Sequence, residues 1–448
     1  VHRIGGAIVR LLDRQGATDF DAVEHAAFFE RGQAAGEIVA TSRCDLPAGL
    51  DDRWIAALRH ERVPVISYPY EWTFSMRRDA ALLQLRLVRE ALADGIVCKD
   101  ASAYNVQFIG PRPVFIDVGS FAPLDPERHP LPWPAYRQFC MLFLYPLLLE
   151  AHLGISPAPW LRGSIEGIDP EDVARILRGR ARWRAGVLTH VHLQAAAARR
   201  YASRADPAAS VAGPGDDGTA ISLALVARLE KLIGGLDPVA ARSVWSDYSG
   251  RGHYERAALA AKDRFVRDAV AQVAPEVVVD MGANDGRFAR IAAEVASTVV
   301  ALDADRAVVD RLYRRSRTSG DARILPLVAD IADPSPGLGW NLAERSPLAD
   351  RVGPDLVFSL ALIHHVVIGR NVPIQAAVDH LAAQAPMAVL EVPHRDDPMV
   401  RRLLAAKDET VHEDYDLAAI ESAVSERFSI ERTEQLGPTR TIWLLARR

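Results

Sequence analysis

Between residues 277 and 392, five short and almost uninterrupted apolar runs alternate with segments of helical periodicity. They lie at 277–280, 299–303, 324–330, 355–360 and 387–392. Runs this short, bounded by turn residues and rich in Val, Leu and Ile, are strands. Strands apolar at nearly every position need cover on both faces, which a parallel sheet between two helix layers provides. The pattern predicts a doubly wound α/β domain in the C-terminal half, with 428–431 and 441–445 as extra edge strands closing the chain.

That sheet uses only half of 448 residues, and single cores stop growing at roughly 250–300 residues, so a second domain is expected before it. The sharpest change of composition is at 206–219, where Gly, Pro, Asp and Ser replace an Ala/Arg helical pattern. The expected organisation is a first domain over 1–205, a linker over 206–219, and a second domain over 220–448 that opens with helices. A hydrophobic content of 49% with 25% charged residues describes an ordinary folded protein, and the net charge of −5 offers no general basic surface for nucleic acid. The longest apolar run, 139–149, is too short to cross a bilayer and contains Pro146, so it is expected as a buried helix and no membrane association is expected. Residues 1–6 lack both an initiator Met and a signal-peptide core. With three scattered cysteines and no metal-ligand spacing, the expectation is a cytoplasmic protein with a trimmed or alternative start and no resident metal.

The first strand of the sheet runs into Asp280-Met281-Gly282-Ala283-Asn284-Asp285-Gly286 and then an Ala-rich helix. Glycines at 282 and 286 allow a tight strand-to-helix turn and a close backbone approach by a ligand. A dinucleotide site would carry three glycines to seat a pyrophosphate; here an acidic residue precedes G-x-x-x-G. The second strand ends at Asp303, where a carboxylate can accept from both hydroxyls of a ribose, and the third ends at Asp330.

This constellation resembles motif I and its neighbours in class I S-adenosylmethionine (SAM) methyltransferases, a Rossmann-like fold. The resemblance implies SAM as cofactor, with Asp280, Gly282, Asn284 and Gly286 at its amino-acid end, Asp303 at the ribose and Asp330 at the adenine amino group. Tyr254 and Lys262, eight residues apart on a helix before the sheet, match residues that cover the methionine end in similar enzymes. A solvent-facing lysine is the plainer reading of Lys262.

In such a sheet, residues just beyond the fourth strand face the transferred methyl group. That place holds Leu362-Ile363-His364-His365, and a histidine near its usual pKa suits a general base. His364 and His365 are the first candidates, expected to point in different directions. Glu391, ending the fifth strand, is the second, as base or as ligand of a substrate amine. Packing against the cofactor is the competing role for either histidine.

The stretch 324–345 followed by Leu360-Ala361-Leu362-Ile363-His364-His365 resembles a nodulation-associated family of bacterial methyltransferases. The resemblance extends through Ser67-Tyr68-Pro69-Tyr70-Glu71-Trp72, Lys99-Asp100-Ala101-Ser102-Ala103-Tyr104-Asn105, Phe115-Ile116-Asp117 and Tyr136-Arg137-Gln138-Phe139. It covers nearly the whole chain and is silent on the acceptor.

The first half also resembles a kinase catalytic loop. Asp100 is followed five residues later by Asn105, and Asp117-Val118-Gly119 stands where a metal-binding D-x-G would. The pattern implies an α+β kinase-like domain, in which Asp100 orients a hydroxyl while Asn105 and Asp117 hold Mg²⁺. One part is missing: no lysine precedes Lys99, which leaves only an arginine, such as Arg31 or Arg43, to meet nucleotide phosphates. The expectation is therefore a kinase-like recognition domain without phosphoryl transfer. Tyr68, Tyr70 and Trp72 form either a substrate wall or part of the core.

Together these readings predict a SAM-dependent methyltransferase acting on a small-molecule or glycan-like acceptor, with the first domain aiding recognition. The alternatives are a noncatalytic SAM-binding partner, or a bifunctional enzyme with an active Mg-ATP kinase domain.

Overall fold

The computed structural model describes residues 1–125, 133–202, 217–239, 256–407 and 411–448. The chain is mixed α/β and forms two compact units, Val1–Val63 with Ser67–Ala241, and Pro64–Ile66 with Arg242–Arg448.

The first unit opens with four antiparallel strands, β1 (His2–Ile4), β2 (Ala7–Leu12), β3 (Thr41–Cys44) and β4 (Ala56–His60), in the order β1-β2-β4-β3. Two helices, α1 (Arg14–Glu24) and α2 (Ala27–Ala34), stand between β2 and β3, and the Asp13 side chain caps α1 by accepting from the Gly16 N–H. Next come α3 (Phe74–Ala93), β5 (Ile96–Cys98) and a hairpin of β6 (Val106–Ile109) and β7 (Arg112–Phe115). A last strand, β8 (Phe121–Pro123), pairs with β5.

The run 139–149 lies in successive helical elements, Tyr136–Phe139, Cys140–Leu144 and Tyr145–Leu153, and is almost wholly buried, as its composition requires. Tyr68, Tyr70 and Trp72 are buried too, and the Trp72 indole donates to Ser67 Oγ at 2.9 Å. They belong to the core and not to a substrate wall.

The helix Asp217–Gly234 packs on α3 through its buried side chains Val226, Leu229 and Ile233. It therefore lies in the first unit, whereas the sequence reading began the second domain at 220. Most of the expected linker falls outside the described residues.

The second unit holds a seven-stranded sheet of β9 (Val277–Met281), β10 (Thr298–Asp303), β11 (Ile324–Val328), β12 (Leu356–Leu360), β13 (Met387–Pro393), β14 (Phe428–Gln435) and β15 (Arg440–Arg447). The order is β11-β10-β9-β12-β13-β15-β14. The first five strands are parallel, and β15 runs antiparallel between β13 and β14. All five predicted runs form strands. Of the final pair only β14 is an edge; β15 is interior, which explains why Ile442, Leu444 and Leu445 are fully buried.

Period-two alternation sorts the side chains. Val278, Val299, Ala301, Phe358, Leu360, Val389, Ile442 and Leu444 share one core with Phe265, Val266, Ala269 and Val270 of the helix Arg256–Val273. Each Val, Leu, Ile or Phe side chain among them contributes about 1.5–3 kcal/mol on burial. Asp280, Asp303, Glu391 and Arg440 alternate in phase with these residues, so the same apolar face receives four charged groups. The order reverses between β9 and β12, placing a crevice at the carboxyl ends of those strands.

Among the described residues no helix is long and apolar enough to cross a membrane.

Candidate active site

The turn after β9 explains its own composition. Gly282 (φ 74°), Asn284 (φ 48°) and Gly286 (φ 76°) all adopt left-handed backbone, which glycine takes freely and asparagine tolerates. At Gly286 a Cβ would come within 2.5 Å of Leu312 Cδ1, so the helix Arg306–Ser319 also requires that glycine. The N–H groups of Gly282 and Ala283 donate to Leu302 O at 2.8 and 2.9 Å, pinning the turn to the end of β10.

Asp303 terminates β10 beside that turn. Its Oδ2 accepts from the Asn284 N–H at 3.0 Å and its Oδ1 from the Asp305 N–H at 2.8 Å. Burial raises its pKa, and those backbone donors oppose the rise. Each oxygen keeps lone pairs for further donors.

Asp280 is 1% exposed, and its Oδ2 has no hydrogen-bond partner. Burial pushes its carboxyl up to about 7, against the opposing pull of the Lys262 charge. A buried carboxyl with an unanswered oxygen is costly, and it marks a place built to meet a donor or a cation.

Lys262 is buried, not solvent-facing. Its Nζ lies 2.6 Å from Glu391 Oε2 and 4.4 Å from the centre of the Phe288 ring. Glu391 also takes Arg440 Nη1 at 3.0 Å, and Arg440 Nε donates to Asp397 at 2.8 Å. All four groups are nearly inaccessible. Glu391 is thus held between two cations. It is not an available base or amine ligand, which corrects that expectation, and the Lys262 charge lies close enough to Asp280 to oppose the rise of that carboxyl's pKa. Tyr254 lies outside the described residues.

The histidines are corrected as well. His364 is fully buried with both ring nitrogens lacking hydrogen-bond partners, and burial holds its pKa well below the usual value. A ring with no path to solvent or partner does not relay a proton. His365 is half-buried, and burial also lowers its pKa. The two rings do not diverge; they lie 4.1 Å apart, tilted by 40°. A π-helical turn, His365–Gly369, begins at the second of these rings.

Asp330 lies two residues past the end of β11, ion-paired with Arg370 and accepting from the Ala332 N–H at 3.0 Å. Beside it opens an apolar cavity of about 290 Å³ on the opposite face of the sheet, lined by Met281, Ile331, Ser359, Leu362 and Leu390 among others. Leu362 also abuts Gly282. The structure thus gathers Asp280, the glycine turn and Asp303 at one strand end, with Asp330 and the cavity on the rim. Sequence reasoning missed Arg440, Asp397 and Arg370. A polar residue in phase with the buried face of β15 was the available signal for Arg440.

Nodulation protein NoeA of Rhizobium meliloti (strain 1021) is 34% identical to this chain over 397 residues, covering 87% of this chain and 82% of that protein. The chain belongs to the NoeA family. No family model matches it. Among solved structures, this NoeA-family chain is similar to the N-methyltransferase NodS from Bradyrhizobium japonicum WM9 at 14% identity, over 43% of this chain and 98% of that one, with a TM-score of 0.31. The magnesium protoporphyrin IX methyltransferase ChlM from Synechocystis PCC 6803, with bound SAM, is similar at 17% identity over 46% and 92%, with a TM-score of 0.32. The bifunctional kinase-methyltransferase WbdD is similar at 14% identity over 45% and 41%, with a TM-score of 0.31.

Proposed function

We propose that the second unit is a Rossmann-like class I methyltransferase domain that binds SAM and transfers its methyl group to a small-molecule or glycan-like acceptor, the first unit aiding recognition. The observation that carries this reading is the buried, unanswered Asp280 Oδ2 beside the Gly282–Gly286 turn, with Asp303 on the adjacent strand end. The strand order, with an antiparallel strand inserted next to the last, supports the same class.

SAM supplies an electrophilic methyl group on a sulfonium. Asp280, once ionised, pairs with the amino group of its methionine end, where a carboxylate in a dry site attracts a cation strongly. Asp303 accepts from the ribose hydroxyls while remaining tied to the turn by backbone donors. The cavity beside Asp330 receives the flat, apolar adenine, with the Asp330 carboxylate facing its amino group. With His364 and Glu391 withdrawn from proton transfer, catalysis is chiefly proximity and orientation, and His365 is the group suited to take a proton where the acceptor must lose one.

The first unit is proposed to follow a kinase-like plan. Two helices stand between β2 and β3 in the chain, Arg10 of β2 pairs with Asp117, and Asn105 Nδ2 donates to Asp100 O and to Ser120 Oγ, which in turn donates to Asp117.

Isothermal titration with SAM tests the main reading. The parent is expected to bind, and Asp303→Ala to bind at least about tenfold more weakly, since it loses charge-assisted hydrogen bonds. Absence of binding by the parent, or undiminished binding by the variant, overturns the cofactor assignment. Methylated product from an acceptor screen separates an enzyme from a noncatalytic SAM-binding partner.

A further inference from the structure

The expectation of no membrane association came from the lack of a spanning segment, which says nothing of contact with a membrane surface. Charge is unevenly spread along the chain. Residues 173–205 carry eight arginines and no acidic residue, in a protein whose net charge is −5. Such a block is either neutralised by acids brought from elsewhere or left for an anionic partner.

The contacts separate the two cases. Arg175, on the helix Pro170–Ile176, is answered by Glu171 at 3.3 Å and Asp172 at 3.0 Å. Arg184 Nη1 donates to the His152 carbonyl at 2.7 Å. Arg178, Arg180 and Arg182 are exposed, and their side chains make no hydrogen bond or ion pair among the described residues. They stand on and just before the 3₁₀ turn Gly179–Trp183, none of whose residues is buried. Trp183, which ends the turn, is 74% exposed, with the Arg182 guanidinium 5.7 Å from the centre of its ring. A single exposed indole is ordinary on a protein surface. One set among three free guanidiniums gives the turn both parts of an interfacial anchor, an amphipathic ring and charges for headgroup phosphates.

The turn is also held in place. Gly179 (φ 61°) opens it and Gly186 (φ 79°) follows it, both in left-handed backbone, and a Cβ at Gly186 would come within 2.5 Å of Leu232 Cδ2. His152 Nε2 meets Ala185 O at 3.1 Å beside the Arg184 bond, so two contacts tie the segment to the C-terminal end of the helix Tyr145–Leu153. Leu153, the next residue, is exposed as well. A backbone fixed in this way reduces the ordering cost of contact with a partner.

Shape decides among anionic partners. Single-stranded nucleic acid is held in a basic groove with successive stacking rings. Here one ring stands on a turn that buries nothing. A lipid surface needs no groove, and its phosphates suit planar guanidinium forks.

We propose that the turn Gly179–Trp183, with Arg178, docks the first unit on a bilayer surface rich in anionic phospholipid. Arg178, Arg180 and Arg182 meet lipid phosphates, and Trp183 enters the headgroup layer. The proposal goes beyond the methyltransferase reading and rests neither on SAM binding nor on the kinase-like plan.

Sedimentation of the full chain with phosphatidylcholine vesicles, with and without about 30% phosphatidylserine, tests it. The parent is expected to bind the anionic vesicles at least about tenfold more tightly than the neutral ones, and to be released by about 0.5 M salt. Each arginine at such a surface is worth about fivefold in binding, so the triple variant Arg178→Gln, Arg180→Gln, Arg182→Gln should bind on the order of a hundredfold more weakly. Thermal unfolding, expected to be unchanged for these exposed positions, checks that it is folded. Brominated lipid in the vesicles should quench the fluorescence of the parent more than that of Trp183→Phe, which keeps an apolar ring but removes the emitter. Failure of the parent to bind anionic vesicles, equal binding to neutral ones, unchanged binding by the folded triple variant, or equal quenching in Trp183→Phe overturns the proposal. Binding of a single-stranded RNA oligomer, lost in the triple variant, with no binding to vesicles assigns the patch to nucleic acid and also overturns it. If SAM fails to bind while anionic vesicles do, only the methyltransferase reading falls.

Discussion

Replacing Glu391 by Gln keeps the shape of the side chain and removes the one negative charge shared by Lys262 and Arg440. The contacts are 2.6 and 3.0 Å, so at an effective dielectric constant near 20 each attraction is about 6 kcal/mol. Desolvating the ions offsets several kcal/mol per ion, and Asp397 still holds Arg440. The measurable cost of breaking such a buried pair from one side is about 3–5 kcal/mol. Urea unfolding followed by intrinsic fluorescence should show that loss in the transition of the second unit, with an unchanged dependence on denaturant concentration. The double variant Lys262→Met with Glu391→Gln removes both partners and is expected to recover most of the loss, because no unpaired charge remains beside Asp280. A single variant costing less than about 1 kcal/mol, or a double variant no better than the single, would refute the claim that the chain of charges is dry and mutually dependent.

The raised Asp280 pKa makes two linked predictions. Stability from its protonated form is fully present below the free value of 3.8 and is lost as pH rises through about 7. Asp280→Asn should therefore gain on the parent across that window, by on the order of 4 kcal/mol at its upper end in pH-dependent unfolding. SAM affinity of the parent should rise over the same window as the carboxylate forms, and Asp280→Asn should flatten that profile; a parent profile without the step would sink the pairing. Gly286→Ala combines left-handed backbone with the Leu312 clash and should cost about 1–2 kcal/mol or more in thermal unfolding, whereas wild-type stability would contradict the geometry. His364→Leu should keep turnover within about threefold if the ring is a packing element, while His365→Ala loses more; the reverse order in steady-state assays would restore His364 as the base.

The strands of the second unit were legible because their signal is local. Five apolar runs, the left-handed demand at Gly282 and Gly286, and carboxylates at consecutive strand ends follow from neighbours in sequence. The edge assignment of β15 was not legible, since a strand's place in a sheet depends on its partners and not on its own residues. The boundary near 206–219 marked a change of composition, yet the helix beyond it packs back on α3, because its buried face fits a helix more than a hundred residues earlier.

Residue type and position at a strand end nominated Glu391, His364 and His365 as reactive groups and passed over Arg10, Arg440 and Asp397. What a titratable side chain can do depends on burial and on the charges around it, and those are set by contacts across long stretches of chain. Lys262 was already placed near the methionine end of the site by resemblance, but only the packed helix made it a buried partner of Glu391. The sequence by itself determined the parallel sheet, the glycine turn and the acids around it, because backbone conformation and strand pattern are written in adjacent residues. Only the tertiary structure decided which acids are free, which are spent on cations, and which arginine stands over Asp117. Burial, dielectric environment and pairing exist only once distant segments have met.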